Sequence, residues 1–374
     1  MAKSLVFVGG GHAHLYSLQR ATQLARAGCT VTLVSPERFQ YYSGMGPGLL
    51  GGTYTPEEAR FDLRRLCEQG GVAFVEDAVA AVDPGERRLA LSGGGSLAYD
   101  LASFNTGSKV ADGSIPGAAV YAVPVKPIHN LFQVRDAILG GGGAEPLRLA
   151  VIGGGPAGVE VTANIWKLAH ENAKPVEVAL LEGAARLLPG MSAAAAGVAR
   201  RSLEERGIDV RLAVRVGGVV EGGVALEGGE VIAADLVVLC TGTTPGGLFR
   251  AAGLTEGEDP GLAVDKTLRH RTHREIYAVG DCAAHPHHPL ARVGVYAVRQ
   301  APILFGNLMA ALTGEAPRRF APQRRYLLIL NLGDQTGLVE WGRWVVRGRW
   351  AFGWKKYLDT MFMRRFQPER RGGR

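Results

Sequence analysis

Two glycine-rich segments carry the strongest chemical signal in this chain. The first is Leu5-Val6-Phe7-Val8-Gly9-Gly10-Gly11-His12-Ala13-His14. The second, 144 residues later, is Leu149-Ala150-Val151-Ile152-Gly153-Gly154-Gly155-Pro156-Ala157-Gly158. In each, a short apolar run meets glycines and then helix-compatible sequence. Peptide N–H groups at such a turn, at the N-terminus of a helix, bind a pyrophosphate. Gly9 and Gly153 allow the tight turn, Gly11 and Gly155 let the backbone approach the phosphates, and Gly158 permits close helix–strand packing. His14 stands where the third glycine of the first unit would be. One such pattern is weak; two, each placed after a strand, point to two dinucleotides on one chain. Two facing dinucleotides point to hydride transfer.

Other residues extend that chemistry. An acid at the end of the second strand of such a unit holds the adenosine ribose. In the first unit that place is Ser35, with Glu37 two residues on; in the second it is Glu182. A carboxylate there accepts from a 2′-hydroxyl and repels a 2′-phosphate, favouring NADH over NADPH, although Arg186 lies close enough in sequence to soften the preference. His12 and His14 suit either hydrogen bonding to the phosphate or redox ring of a bound dinucleotide, or packing at a helix start. Cys29, Cys67, Cys240 and Cys282 form no CxxC pair, so no redox dithiol or zinc knuckle is written locally. His285, His287 and His288 share a proline-rich loop that matches no metal template.

These residues need elements to position them. Residues 5–8, a helix over about 14–27 and residues 30–34 make a β-α-β unit; residues 149–152, a helix over about 157–172 and residues 176–181 make another. The expected fold is therefore α/β, with two Rossmann-like parallel sheets covered by helices. Leu101–Ser108 and Leu236–Thr243 both read as an apolar strand ending in Thr-Gly, which brings Thr106, Gly107 and Gly242 to the two cofactor sites. Gly140 to Gly143 read as a loop into the second unit. Ile276-Tyr277-Ala278-Val279-Gly280-Asp281 is a further strand, ending in an exposed acid, with a helix expected over 291–306.

At 374 residues, 47% hydrophobic and 21% charged, the chain is an ordinary folded protein of two or three domains. No apolar run approaches the roughly 18 residues of a membrane span, and residues 5–8 are too short for a signal-peptide core; a cytoplasmic protein is expected. The net charge of +7 is uneven. Residues 341–374 hold ten Lys and Arg against Asp359 and Glu369, leaving +8 there and −1 in the rest. From Trp354, apolar residues recur at Tyr357, Leu358, Met361, Phe362 and Phe366, preceded by Trp341, Trp344 and Trp350. That pattern describes an amphipathic helix at an anionic membrane surface, on the inner face of the cytoplasmic membrane. A helix docked on its own chain or on a homodimer partner is the alternative. The neutral body argues against nucleic acid.

The order of motifs resembles the two-dinucleotide-binding-domain flavoproteins of the pyridine nucleotide–disulfide oxidoreductase superfamily, and within it the type II NADH dehydrogenases and sulfide:quinone oxidoreductases. The GGGHAH opening, Tyr42-Ser43-Gly44-Met45-Gly46-Pro47-Gly48 and Phe362-Met363-Arg364-Arg365-Phe366 are similar to NADH-dehydrogenase-like domains fused to selenide, water dikinase. The resemblance implies FAD on the first unit and NADH on the second. It divides the chain into residues 1–115 (FAD domain, first part), 116–254 (NAD domain), 255–320 (FAD domain, second part) and a C-terminal region, 321–374. It places Gly280 and Asp281 at the flavin ribityl–phosphate region, Glu160 near the nicotinamide and Gln300 near quinone and flavin. Lys126, in Val123-Pro124-Val125-Lys126-Pro127, is expected to approach the flavin, where an ammonium stabilises the reduced anionic form. The implied activity is electron transfer from NADH through FAD to a quinone. The alternatives are a sulfide:quinone oxidoreductase, which needs cysteines at the flavin, a selenium-linked flavoprotein reductase, and a flavin-binding scaffold or sensor with negligible turnover.

Overall fold

The computed structural model describes residues 2–111, 115–141, 145–323 and 325–367. Part of the glycine loop (142–143) and the final basic residues Arg370, Arg371 and Arg374 with Glu369 thus lie outside the described residues. Two five-stranded sheets organise the chain. The first runs Ile276–Ala278, Leu101–Phe104, Lys3–Val8, Cys29–Ser35, Ala73–Glu76 in spatial order, with every pairing parallel. The second runs Ala122–Pro124, Leu236–Leu239, Leu147–Ile152, Val176–Glu182, Asp209–Leu212, again all parallel. In both, the strand feeding the glycine turn is central. It lies between the strand that ends in Thr-Gly and the strand that ends at the ribose position.

Helices cover both faces of such sheets, so their central strands read as unbroken apolar runs rather than alternating ones. Leu5, Val6, Phe7 and Val8 are all buried, as are Leu149 to Ile152. The helix expected over 14–27 is two helices, His12–Leu18 and Ala21–Arg26, separated at Gln19-Arg20. The second unit keeps one long helix, Pro156–Glu171, whose proline sits in the first turn where its missing N–H costs nothing. The helix after Asp281 spans Gly294–Thr313 and packs along His12–Leu18. In each unit a small antiparallel sheet, over residues 79–98 and 216–233, is inserted just before the strand that ends in Thr-Gly.

The C-terminal region forms a three-stranded antiparallel sheet, Ile329–Asn331, Gly337–Trp341 and Trp344–Gly348, then the helix Arg349–Phe366. This helix is docked on its own chain, the alternative to a free membrane-surface helix. Met363 and Phe366 are buried in the core beneath the first sheet, and Phe362 packs against it. Lys355 donates to the Gly44 carbonyl at 2.7 Å, and Gln19 donates to the Arg365 carbonyl at 2.6 Å. The apolar positions of this helix do not make one face. Phe362 and Phe366 turn inward, while Trp354, Tyr357, Leu358 and Met361 stay exposed, with Trp350 stacked on Trp354. No helix among the described residues is long and apolar enough to cross a membrane.

Candidate functional site

Both glycine turns sit at the carboxyl ends of their central strands, where α/β sheets bind ligands. In the first, Gly9 adopts φ +86°, a left-handed conformation that favours glycine, and any Cβ there would press on the Asn105 carbonyl. The Gly11 N–H donates to Asn105 O at 3.3 Å, and the Ala13 N–H donates to Asn105 Oδ1 at 3.0 Å. Asn105 Nδ2 donates in turn to Val279 O at 2.9 Å. One buried side chain therefore ties the glycine turn, the first helix and the strand before Asp281 together. The N–H groups of Gly10 and His12 have no partner among the described residues and remain for a phosphate. In the second turn, the Gly155 and Ala157 N–H groups are similarly without a partner. Both turns thus fit a pyrophosphate.

The third position of each unit is solved differently. A Cβ on Gly158 would collide with the Gly153 carbonyl, so glycine is needed for close packing. In the first unit, His14 Nδ1–H donates to the Gly9 carbonyl at 2.6 Å, and Nε2 accepts from Ser103 Oγ at 2.9 Å. Burial holds the ring neutral, with its pKa pushed down to about 3. His14 is consequently a brace behind the turn. Both its nitrogens are spent on protein, which corrects the expectation of a phosphate or flavin contact. His12 differs: it lines the cleft before the turn, its buried Nε2 has no partner among the described residues, and Tyr42, Phe61 and Phe362 ring it at 5.3–6.5 Å. Burial pushes its pKa down to about 4.

The cleft brings together Gly11, His12, Glu37, Thr106, Gly107, Lys126 and Asp281 from five separate segments. Lys126 Nζ donates to Asp281 Oδ2 at 3.0 Å and to Ser108 Oγ at 3.1 Å, and Ser108 donates to the same carboxylate oxygen at 2.7 Å. This triad fixes an ammonium beside the glycine turn. Glu37 lies at the cleft's edge, 3.2 Å from His129, whereas Ser35 is buried at the end of its strand. Gln300 lies behind the Gly280-Asp281 turn. It is 1% exposed; its Oε1 accepts from the Gly280 N–H at 2.6 Å, and its Nε2 donates to His285 Nε2 at 3.1 Å. With one protein partner at each end of its amide and its side chain buried, Gln300 positions the Gly280-Asp281 turn.

At the second turn, Glu182 Oε2 accepts from the Gly154 N–H at 2.6 Å and Oε1 from the Ala184 N–H at 2.7 Å. A carboxylate has about four lone-pair sites, so both oxygens keep capacity for ribose hydroxyls. Gly242 follows the neighbouring strand, as expected. Arg186 gives its guanidinium to the carbonyls of Leu188, Pro189 and Met191 at 2.7–3.1 Å, so it is not free for a 2′-phosphate.

Glu160 stands in a cluster that sequence reasoning did not assemble. Its Oε1 accepts from the Asn331 N–H at 2.7 Å. Lys355, from the C-terminal helix, donates to Asp359 at 2.9 Å, and Tyr54 donates to the same Asp359 oxygen at 3.1 Å. Protein packs densely around Glu160, though part of its surface still reaches solvent. Desolvation, only partly offset by Lys355 and the Asn331 N–H, pushes its pKa up to about 7. Against its own burial, Lys355 is held above the usual lysine range by Glu160 and Asp359. The cluster adjoins the cleft through Tyr42, which feels both carboxylates and contacts His12. The i, i+4 spacing of Lys355 and Asp359 was a readable signal of a pair; its burial was not.

All four cysteines are buried and unbonded. Cys282 follows Asp281, but its thiol turns into the core toward the carbonyls of Phe104 and Val279 at 3.4–3.5 Å. Burial pushes the Cys240 thiol up to about 12.

The sequence profile of the pyridine nucleotide-disulphide oxidoreductases matches residues 3–301. A probable ferredoxin reductase of Castellaniella defragrans is 28% identical over 314 residues, covering 80% of this chain and 72% of that protein. A demethylphylloquinone reductase of Synechocystis sp. is 27% identical over 292 residues, covering 75% and 71%. The fold is that of NDH2 from Plasmodium falciparum, solved in complex with NADH: TM-score 0.83, 16% identity, 100% of this chain and 99% of that one. The comparisons give no support to the narrower likeness to domains fused to selenide, water dikinase. The chain belongs to the pyridine nucleotide-disulphide oxidoreductase family, and it is an FAD-dependent oxidoreductase whose expected cofactors are FAD and NADH.

Proposed function

We propose that this oxidoreductase passes electrons from NADH, through FAD, to a quinone. FAD would lie along the first glycine turn, with its ribose toward Glu37 and its ribityl–phosphate region beside Asp281. Bound there, FAD supplies the redox chemistry, taking a hydride from NADH and releasing electrons to the acceptor. Lys126, held by Asp281 and Ser108, would supply a fixed positive charge to the pyrimidine edge. NADH would lie on the second turn, its adenosine ribose hydrogen-bonded by Glu182, the spent Arg186 being consistent with NADH over NADPH.

The observation that carries the choice of a quinone is the Glu160 cluster. Quinone reduction consumes protons as well as electrons. Glu160, with a pKa of about 7, holds a proton at neutral pH and can release it, as an efficient acid–base group must. Lys355 and Asp359 tune that affinity from the C-terminal helix. A sulfide-oxidising route needs cysteines at the flavin, and the buried thiols of Cys240 and Cys282 do not support one. The name of the demethylphylloquinone reductase relative fits the same choice.

The division into residues 1–115, 116–254, 255–320 and 321–374 belongs to this reading; the strand Ile276–Ala278, which completes the first sheet from beyond the second, supports it. A peripheral membrane position also belongs to it, supported by the exposed Trp350, Trp354, Tyr357 and Met361 beside basic residues. A homodimer through the same face is the rival. Steady-state oxidation of NADH with a soluble quinone tests the proposal, with NADPH and sulfide in parallel. NADH should be the preferred donor; turnover with sulfide but not NADH would overturn the reading.

A further inference from the structure

A second recess lies apart from both glycine turns, and no residue of it lines the cofactor cleft. It holds about 400 Å³, within the range of small-molecule sites. Lys266, Arg271 and Arg319 line it beside His285, with Leu290 and Phe320 forming an apolar wall. Its one acidic residue, Asp265, is already committed: it accepts from the Thr267 N–H and hydroxyl and from Arg274. Arg271 reaches Glu256 only at 3.4 Å and shares a contact with His287. Lys266 and Arg319 have no side-chain partner among the described residues. Positive charge is therefore left over in a concave, partly apolar setting.

His285 connects this recess to the cofactor cleft. The Gly280 N–H can only donate, so Gln300 must present its oxygen there and its NH₂ to His285. His285 Nε2 is then the acceptor, and the proton of the neutral ring sits on Nδ1. That Nδ1–H has no partner among the described residues. Burial keeps the ring neutral, with its pKa pushed down to about 4. The path runs from the recess through His285 and Gln300 to Gly280, the residue before the Asp281 that anchors Lys126.

We propose that this recess binds a small organic phosphate, and that its occupancy is felt at the flavin site through His285 and Gln300. Phosphate oxygens suit Lys266, Arg271, Arg319 and the His285 Nδ1–H, because charge-assisted bonds to phosphate are the strongest available there. An organic body, flat or apolar, suits Leu290, Phe320 and Pro322. A bare phosphate leaves that wall unused.

ADP is the probe, titrated by calorimetry into the FAD-loaded full chain presaturated with NAD⁺, so that the second glycine turn is filled. The expected result is one ADP per chain, with inorganic phosphate binding at least tenfold more weakly, and a change in the flavin absorption spectrum at saturation. Lys266→Glu with Arg319→Glu, both on exposed side chains, should weaken ADP at least tenfold while FAD content and NADH oxidation without ADP stay unchanged. Absence of ADP binding, displacement of ADP by NAD⁺, or binding unaltered by the double charge reversal would overturn the site. A flavin spectrum indifferent to saturating ADP would overturn the connection.

Discussion

The behaviour of single side chains here is set by what burial leaves each one to do. His14 carries polar groups suited to a ligand, yet both its nitrogens are consumed by the protein, and Gln300 is buried with a protein partner at each end of its amide. Glu160 keeps its capacity to titrate, and its pKa sets two expectations. An ordinary glutamate loses its proton near 4.5, whereas Glu160 in the folded chain keeps it up to about 7. The folded state therefore binds the proton more tightly than the unfolded state, and stability falls as pH rises from the acid range through about 7. Glu160→Gln retains an acceptor for the Asn331 N–H without the ionisation. Its stability relative to the native chain, measured as a denaturant midpoint, should therefore improve from mildly acid to mildly alkaline pH; a constant difference would contradict a titrating Glu160. The rate of quinone reduction should decline through the same pH range in the native chain, and lose that dependence in Glu160→Gln. At the second turn, Glu182→Ala removes the proposed ribose acceptor as well as the bonds to Gly154 and Ala184. It should raise the KM for NADH by a factor corresponding to about 1–3 kcal/mol, with bound flavin unchanged. Unaltered kinetics would remove Glu182 from the nucleotide site.

At the scale of elements, the two β-α-β units were legible because an apolar strand, a glycine turn and a helix are all local in sequence. Lys126 and Asp281, 155 residues apart, were each readable as candidate flavin neighbours, but not as partners of one another. Asn105 went unread because nothing local marks it: the second unit has Cys240 at the equivalent place before Thr-Gly. The C-terminal helix was legible as a helix and misread as a stripe, since spacing alone does not say which of two opposite apolar strips is covered. Phe362 and Phe366 are packed by the first sheet's helices, and Lys355 bridges to Gly44 and Asp359. Ending the chain before Arg349 should accordingly reduce bound FAD or cause aggregation, because His12, Tyr42 and Glu160 lose their cover. A truncated chain with full flavin content would contradict a docked helix. The outer strip makes a separate prediction. Replacing exposed Trp350, Trp354 and Tyr357 by serine should leave the flavin in place and abolish sedimentation with anionic vesicles. For the native chain that sedimentation should weaken with salt, as screened charges require. Vesicle binding that survives the replacement would assign the membrane contact elsewhere.

Across the whole molecule, two similar sheets place two phosphate-binding turns on one chain, and the C-terminal helix brings a titratable cluster up against the cleft of the first. That arrangement suits a reaction in which electrons pass between cofactors and protons are supplied by the protein. NADH and a quinone are proposed to meet through one flavin. The most direct measurement is the flavin absorption of the purified, yellow protein under anaerobic conditions, with NADH added first and a soluble quinone second. One equivalent of NADH should bleach the flavin, and the quinone should restore its colour. A flavin left oxidised by NADH, or one that NADH bleaches and quinone cannot restore, would contradict the account.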